Sequence, residues 1–269
     1  MNSVILIRGG GDLASGVALR LHRAGFGVAI TEIPQPLAVR RLVSFAEAVY
    51  RGVFSVEGVG ARRVAGVESA PQILARGAIP VFVDPPADIR HELHPAVLVD
   101  ARMTKKPPDL GMDAAPLVIG LGPGFIPGEN CHAAIETRRG HTLGRALWDA
   151  PPDPDTGTPE GVGGRGFERV LRAPANGTLA ARAEIGDRLQ PGQLIAEVAG
   201  EPVRAPFRGV LRGLLHPGLI VRTGMKIGDL DPRNDPRHCT LVSDKALAIG
   251  GGVLEAILSR ADLRPWLWG

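Results

Sequence analysis

Short apolar runs separated by glycine and proline turns set the rhythm of the first half of the chain. Val4 to Ile7 is an aliphatic, β-branched run ending at Arg8, the pattern of a buried parallel strand. Beyond three glycines, Leu13, Val17, Ala18 and Leu21 recur at helical spacing as far as Ala24, and Gly25 stops the helix. A second strand, Val28 to Thr31, closes on Glu32. The same alternation predicts a helix from about Leu37 to Tyr50 and strands at Pro80 to Val83, Ala96 to Asp100 and Leu117 to Gly120. Strands alternating with helices form a mostly parallel sheet, and ligands of such sheets sit at the carboxyl ends of the strands.

The second half changes character. From Pro151 to Gly166, nine of sixteen residues are proline or glycine, which marks a linker or an ordered functional loop. A repeat with a constant offset of 32 residues follows, pairing Arg172, Ala173, Pro174 and Gly177 with Arg204, Ala205, Pro206 and Gly209. It continues through Leu179, Gly186, Gly192 and Ile195, matched by Leu211, Gly218, Gly224 and Ile227. Short strands punctuated by glycine turns, in two half-repeats, resemble the biotinyl/lipoyl-like barrel-sandwich fold. Carrier domains of that fold hold a modifiable lysine in the hairpin between the halves, whereas Ala199-Gly200-Glu201-Pro202 has none. Neither biotin nor lipoate is expected. The tail opens on Ser243, a helix cap, and carries apolar residues at helical intervals from Ala246 to Ser259, with Gly250-Gly251-Gly252 as an interruption.

The fold class expected is α/β, organised as a Rossmann-like domain over 1–160, an all-β barrel-sandwich module over 167–232 and a C-terminal helical segment over 233–269 that packs back on the first domain. Composition trims the functional options. Lys and Arg number 31 against 28 Asp and Glu, with no basic block, so nucleic acid is not an expected partner. No apolar run approaches membrane-spanning length, and Arg8 breaks the amino terminus before a signal-peptide core can form. A cytoplasmic protein is expected, with Cys131 and Cys239 as free thiols and a homo-oligomer compatible with these features.

Gly9-Gly10-Gly11-Asp12-Leu13-Ala14 fits the dinucleotide-binding pattern between a strand and a helix. Gly9 would make the turn, Gly11 would let backbone approach a pyrophosphate, and Ala14 would allow close helix packing. Asp12 is an unhelpful neighbour for phosphate and is expected to cap the helix. Glu32, about twenty residues beyond, stands where a carboxylate reads ribose hydroxyls and favours NAD over NADP, although Arg40 and Arg41 complicate that choice. Arg102 and Lys105, after a strand end, would suit a phosphate, and a solvated turn explains them equally well. Gly120, Gly122 and Gly124 form a second glycine-rich loop whose amides could cradle an anion. Cys131, Glu136 and His141 are the acid–base and nucleophile candidates if they converge, though Cys131 as a small apolar filler is an equal alternative. The spacing of Cys131, His132 and His141 is not that of a zinc site, so no metal is expected.

Several blocks together, Ile7 to Gly16, Val39-Arg40-Arg41, Gly120 to Phe125, Glu136 to His141 and Ser243 to Ala246, resemble the selenium-dependent molybdenum hydroxylase system proteins of the YqeB type. That family is related in role to the XdhC-type accessory proteins, which mature the molybdenum cofactor of xanthine dehydrogenase-like enzymes. The resemblance implies a maturation factor that prepares a selenium-bearing molybdenum centre, with a molybdenum hydroxylase as partner and a molybdopterin-type ligand or NAD at the glycine loops. Transient sulfur or selenium on Cys131 or Cys239 is an extension of that reading. The competing expectation is an NAD-dependent oxidoreductase acting on a small metabolite, with Glu136 or His141 near the nicotinamide.

Overall fold

A computed structural model describes residues 3–104, 106–154 and 164–268. The chain clusters into two units, one of Met1–Pro36, Phe45–Asp155 and Val242–Gly269, the other of Leu37–Ser44 and Thr156–Leu241. Much of the proline- and glycine-rich stretch, 155–163, lies outside the described residues, as does Lys105.

The first unit is built on a nine-stranded, mostly parallel sheet. Its strands are β1 (Ile5–Arg8), β2 (Val28–Glu32), β3 (Val53–Val56), β4 (Val59–Val64), β5 (Ile79–Val83), β6 (Val97–Asp100), β7 (Leu117–Leu121), β8 (Ala133–Ile135) and β9 (Ala146–Leu147), in the spatial order β3-β4-β5-β2-β1-β6-β7-β8-β9. Ile5, Leu6 and Ile7 have no solvent exposure, which explains why an unbroken apolar run occupies the sheet centre. β1 pairs in parallel with β2 on one side and β6 on the other, Arg8 standing opposite Thr31 and Asp100. The strand progression reverses across β1 and β6, the kind of switch point beyond whose carboxyl ends such sheets hold their ligands.

Helices α1 (Asp12–Arg23), α2 (Glu47–Arg51), α3 (Ala70–Ala75) and α4 (Arg90–Leu93) punctuate these strands. The helix expected over Leu37 to Tyr50 is shorter than its apolar spacing suggests: a 3-10 turn spans Arg41–Val43, Ser44 is extended, and α2 begins at Glu47. Leu37–Ser44 belongs to the second unit, where Arg41 Nε donates to the Leu214 carbonyl at 2.8 Å and Arg40 Nη2 donates to the His238 and Leu241 carbonyls, both at 2.9 Å. Those contacts outweigh local helix propensity. The β3–β4 hairpin was not legible as a strand pair; it turns through Glu57 and Gly58, both at positive φ.

In the second unit, β10 (Val170–Arg172), β11 (Gly177–Ala181), β12 (Arg188–Leu189), β13 (Leu194–Val198), β14 (Glu201–Arg204), β15 (Gly209–Leu214), β16 (Ile220–Val221) and β17 (Lys226–Asp231) form two four-stranded antiparallel sheets. One runs β10-β17-β15-β12 and the other β14-β13-β11-β16. The 32-residue offset carries β11, β12 and β13 onto β15, β16 and β17, residue for residue at their starts. The copies therefore interlock: β12 pairs with β15 of the second copy, and β16 pairs with β11 of the first. Leu179, Ile195, Leu211 and Ile227 share the resulting core. A short helix, α5 (Arg237–Thr240), ends this unit.

The chain then returns to the first unit in α6 (Asp244–Leu258) and α7 (Arg264–Trp268). Ser243 caps α6, its hydroxyl accepting from the Ala246 amide at 3.2 Å. The glycine triplet does not interrupt this helix. A Cβ at Gly250 would lie 2.8 Å from the Gly16 carbonyl oxygen of α1, and one at Gly252 would lie 1.9 Å from the Gly144 carbonyl oxygen. Gly250 and Gly252 are thus close-packing positions in which glycine is required by contact distance, whereas a Cβ at Gly251 would meet nothing within 4 Å. Among the described residues no helix is long and apolar enough to cross a membrane.

Candidate functional site

The glycine loop leaves the carboxyl end of β1, beside the end of β6. Gly9 turns at φ +96, and a Cβ there would lie 3.3 Å from the Arg102 Cα. A Cβ at Gly10 would lie 2.9 Å from the Ala46 amide nitrogen, so both glycines are fixed by the surrounding backbone. Gly11 differs: nothing stands within 4 Å of its Cβ position. It is also the N-cap of α1 and supplies no side-chain hydrogen bond to the helix start. First-turn amides have no intrahelical acceptor, so this end of α1 carries a partial positive charge. Asp12, expected as the cap, is instead the first helical residue. Ala14 is fully buried, as close helix-to-strand packing requires.

Glu32 faces the same loop. Its Oε2 accepts from the Gly10 amide at 2.7 Å and its Oε1 from the Ile33 amide at 2.7 Å. Burial pushes the Glu32 carboxyl above its ordinary value, while the two amides pull it back. A carboxylate offers about four acceptor sites, so capacity remains for ligand hydroxyls. Arg40 and Arg41 take no part, being bonded to carbonyls within the second unit.

On the other side of Gly9 lies an arginine–aspartate cluster. Arg102 donates to Asp100 through Nε at 2.9 Å and Nη2 at 2.7 Å, and to Asp109 Oδ1 through Nη2 at 2.7 Å. Arg8 donates to Asp109 through Nη1 at 2.5 Å and Nη2 at 2.9 Å, and to the Pro85 carbonyl at 2.8 Å. Arg8 beside Asp109 holds that carboxyl well below the usual carboxylate range, with Arg102 adding to the effect. Arg102 is thus a paired cation. Arg8 and Asp109 were not among the residues singled out from sequence; Arg8 looks like the polar end of a strand, and Asp109 meets it only through the tertiary fold.

The second glycine loop is filled by protein. A Cβ at Gly120 would lie 1.9 Å from the Phe125 ring, and one at Gly122 would lie 2.7 Å from Thr137 Oγ1. The Gly122 amide donates to the Ile135 carbonyl at 2.9 Å, and the Asn130 side chain bridges Gly124 and Ile126. Only Gly124 faces open space.

Cys131, Glu136 and His141 occupy three different environments. Cys131 is fully buried, and burial pushes its thiol up to about 11. Glu136 is buried, its two oxygens accepting from the Arg138 amide at 2.6 Å and the Asp153 amide at 2.7 Å, which clasps the loop between them. His141 is exposed. Among the described residues no hydrogen bond or ion pair joins the three side chains. Cys239 is likewise buried, its thiol raised chiefly by burial. Neither thiol is a ready nucleophile, since the thiolate is the reactive form. Among the described residues no group of three His, Cys, Asp or Glu could hold a metal ion.

No protein-family model matches the chain. Two solved structures align over most of it at low similarity. One, an aspartoacylase family protein of Mesorhizobium loti, has 11% identity and a TM-score of 0.27, covering 86% of this chain and 85% of that one. The other, the ectoine utilization protein EutE (DoeB) of Ruegeria pomeroyi, has 11% identity and a TM-score of 0.23, covering 85% and 86%. Sequence similarity is far stronger to the uncharacterized protein YqeB of Escherichia coli strain K12, 46% identical over 257 residues. That alignment takes in 96% of this chain and 48% of YqeB, so the chain spans about half the length of this curated relative.

Proposed function

We propose that the chain is an accessory or maturation protein for a selenium-dependent molybdenum hydroxylase, holding a nucleotide or a molybdenum-cofactor-type ligand at the Gly9–Ala14 loop of a Rossmann-like domain. The observation that carries the ligand site is the open face at Gly11 above the uncapped start of α1. Backbone can approach a diphosphate there without a side chain between them, and helix-end amides favour the anion. Glu32 complements it, with a carboxylate already anchored by Gly10 and able to accept from a ribose-type diol. The hydroxylase partner and the selenium and molybdenum chemistry enter through the resemblance to YqeB-type proteins.

In this reading the second unit is a barrel-sandwich module. Ala199 and Gly200 form the turn between β13 and β14, where a carrier domain would place its lysine, so the module serves docking or structure without biotin or lipoate. The oxidoreductase reading needs an acid–base group at the ligand. Glu136 sealed by two amides, buried Cys131 and exposed His141 offer it little support.

The test has two arms. Calorimetry of the purified protein with NADH, ADP and a molybdopterin-type ligand should give binding that Gly11→Val removes. Deleting the gene in a host with a selenium-dependent molybdenum hydroxylase should abolish that enzyme's activity. Intact hydroxylase activity after deletion would overturn the maturation role, and turnover of a metabolite with NAD would replace it with the oxidoreductase reading.

A further inference from the structure

We propose that Arg8 and Arg102 form a seat for a phosphate-type oxyanion beside the Gly9 loop, and that the Asp109 carboxylate fills this seat as an internal stand-in that the ligand displaces. The inference rests on the reading of the loop as a ligand site and adds its regulation.

Arg8 poses the problem. Its side chain is 2% exposed, and a buried guanidinium is costly unless a counter-charge and hydrogen-bond acceptors meet it. The buried carboxylate within reach, Asp100, stands 3.7 Å from Arg8 Nη1 and gives its two-pronged contact to Arg102 instead. The fork of Arg8 closes on Asp109, whose side chain is 57% exposed. Arg102 Nη2 joins it on the same carboxylate. Four guanidinium nitrogens from two arginines therefore converge on one solvent-facing oxyanion, Arg102 Nη1 the most distant at 3.5 Å, the arrangement in which planar guanidiniums recognise phosphate.

A purely structural partner for a buried arginine would itself be buried and held by regular structure. Asp109 has neither property: it lies in an irregular stretch between β6 and the 3-10 turn Met112–Ala114. It also borders a cleft of about 660 Å³ lined by Arg90, His91, His94 and Trp266, so the side chain has solvent to move into. With Asp109 withdrawn, two arginines face the single carboxylate of Asp100, leaving one excess positive charge. That charge adjoins the loop, because the Arg102 Cα forms the wall against Gly9.

The experiment is calorimetric titration of wild type, Asp109→Ala and Asp109→Asn with inorganic phosphate and, separately, with pyrophosphate, at low salt. Removing the stand-in should tighten phosphate binding by roughly tenfold or more. Asp109→Asn, which keeps size and one acceptor oxygen but not the charge, should share the gain, and adding Arg102→Gln should erase it. Equal phosphate affinity in wild type and both natively folded Asp109 variants would overturn the proposal, as would a gain that survives Arg102→Gln. If phosphate affinity does not respond while Gly11→Val still removes NADH or ADP binding, the stand-in alone falls. If no variant binds nucleotide or phosphate, the loop reading falls with it. Stronger binding of pyrophosphate than of phosphate in Asp109→Ala would mark the seat as taking one end of a diphosphate that also reaches the loop.

Discussion

The two glycine-rich loops of the first unit look alike in sequence and differ in what surrounds them. Each is reached from a buried parallel strand, β1 before Gly9–Gly11 and β7, which holds Gly120, before Gly122 and Gly124, and each turns through glycine at positive φ. At Gly120 and Gly122 the missing side chain makes room for Phe125 and Thr137, so the protein packs against itself. At Gly11 the room is empty and lies before the amides of α1. Gly124 is open as well, but no helix start follows it, so of the two loops only the first sets an open glycine against the first turn of a helix. A glycine pattern thus reports proximity, and the identity of the neighbour has to come from the fold.

The comparison can be broken most sharply at Gly120. Replacing it with Ala drives a methyl into the Phe125 ring, and overpacking of this kind costs roughly 1–3 kcal/mol, read by urea unfolding. Adding Phe125→Ala should recover part of that loss, giving non-additivity in a double-mutant cycle. Additive effects would mean that the ring does not depend on Gly120. Gly11→Val should do the opposite, lowering nucleotide affinity more than about tenfold while changing stability by less than about 1 kcal/mol. A large loss of stability there would erase the distinction between the loops. A third measurement concerns Cys131, which follows the packed loop. With its thiol near 11, about one part in a thousand is thiolate at pH 8, so Ellman's reagent should leave the native protein essentially uncoloured and label both cysteines only after unfolding. Rapid labelling of native protein that Cys131→Ser removes would restore Cys131 as a nucleophile.

The smallest effect is the titration of Glu32 beside the open loop. Burial raises its folded carboxyl above the ordinary value, so the folded state binds this proton more tightly than the unfolded state. The resulting stability is fully present below the unfolded value and fades as pH rises through the elevated one. The advantage of wild type over Glu32→Gln in urea unfolding should therefore shrink as pH is raised from about 4 to 7. Constancy across that range would mean that burial does not govern this carboxylate.

What was legible in the sequence was local. The run Val4 to Ile7, the three glycines and the spacing of Leu13, Val17 and Leu21 describe one continuous strand–turn–helix, and β1, the loop and α1 stand where that pattern puts them. The 32-residue offset likewise anticipates the strand starts of the second unit. What failed depended on distant partners. The apolar spacing of Leu37 to Tyr50 gave no hint that Arg40 and Arg41 would be drawn to the His238 and Leu214 carbonyls. The triplet Gly250-Gly251-Gly252 suggested a broken helix because the helix that presses on it, α1, is remote in sequence. Arg102 looked like a free cation for the same reason, since Asp109 shows no sign of its partners in the residues around it.

The interlocked strands of the second unit bear on its ancestry. Each four-stranded sheet takes both of its edge strands from the other copy, β10 and β12 in one and β14 and β16 in the other, so a lone copy would leave its central strand pair unpaired on both sides. The smallest self-sufficient ancestor of such a repeat is a symmetric homodimer of the single copy, two chains trading the strands that each lacks. Tandem duplication converts that pairing into an intramolecular one, which no longer depends on protein concentration. The turn at Ala199-Gly200 lies between the duplicated segments, and the cost of fusion is that neither segment can be spared or exchanged without undoing its twin.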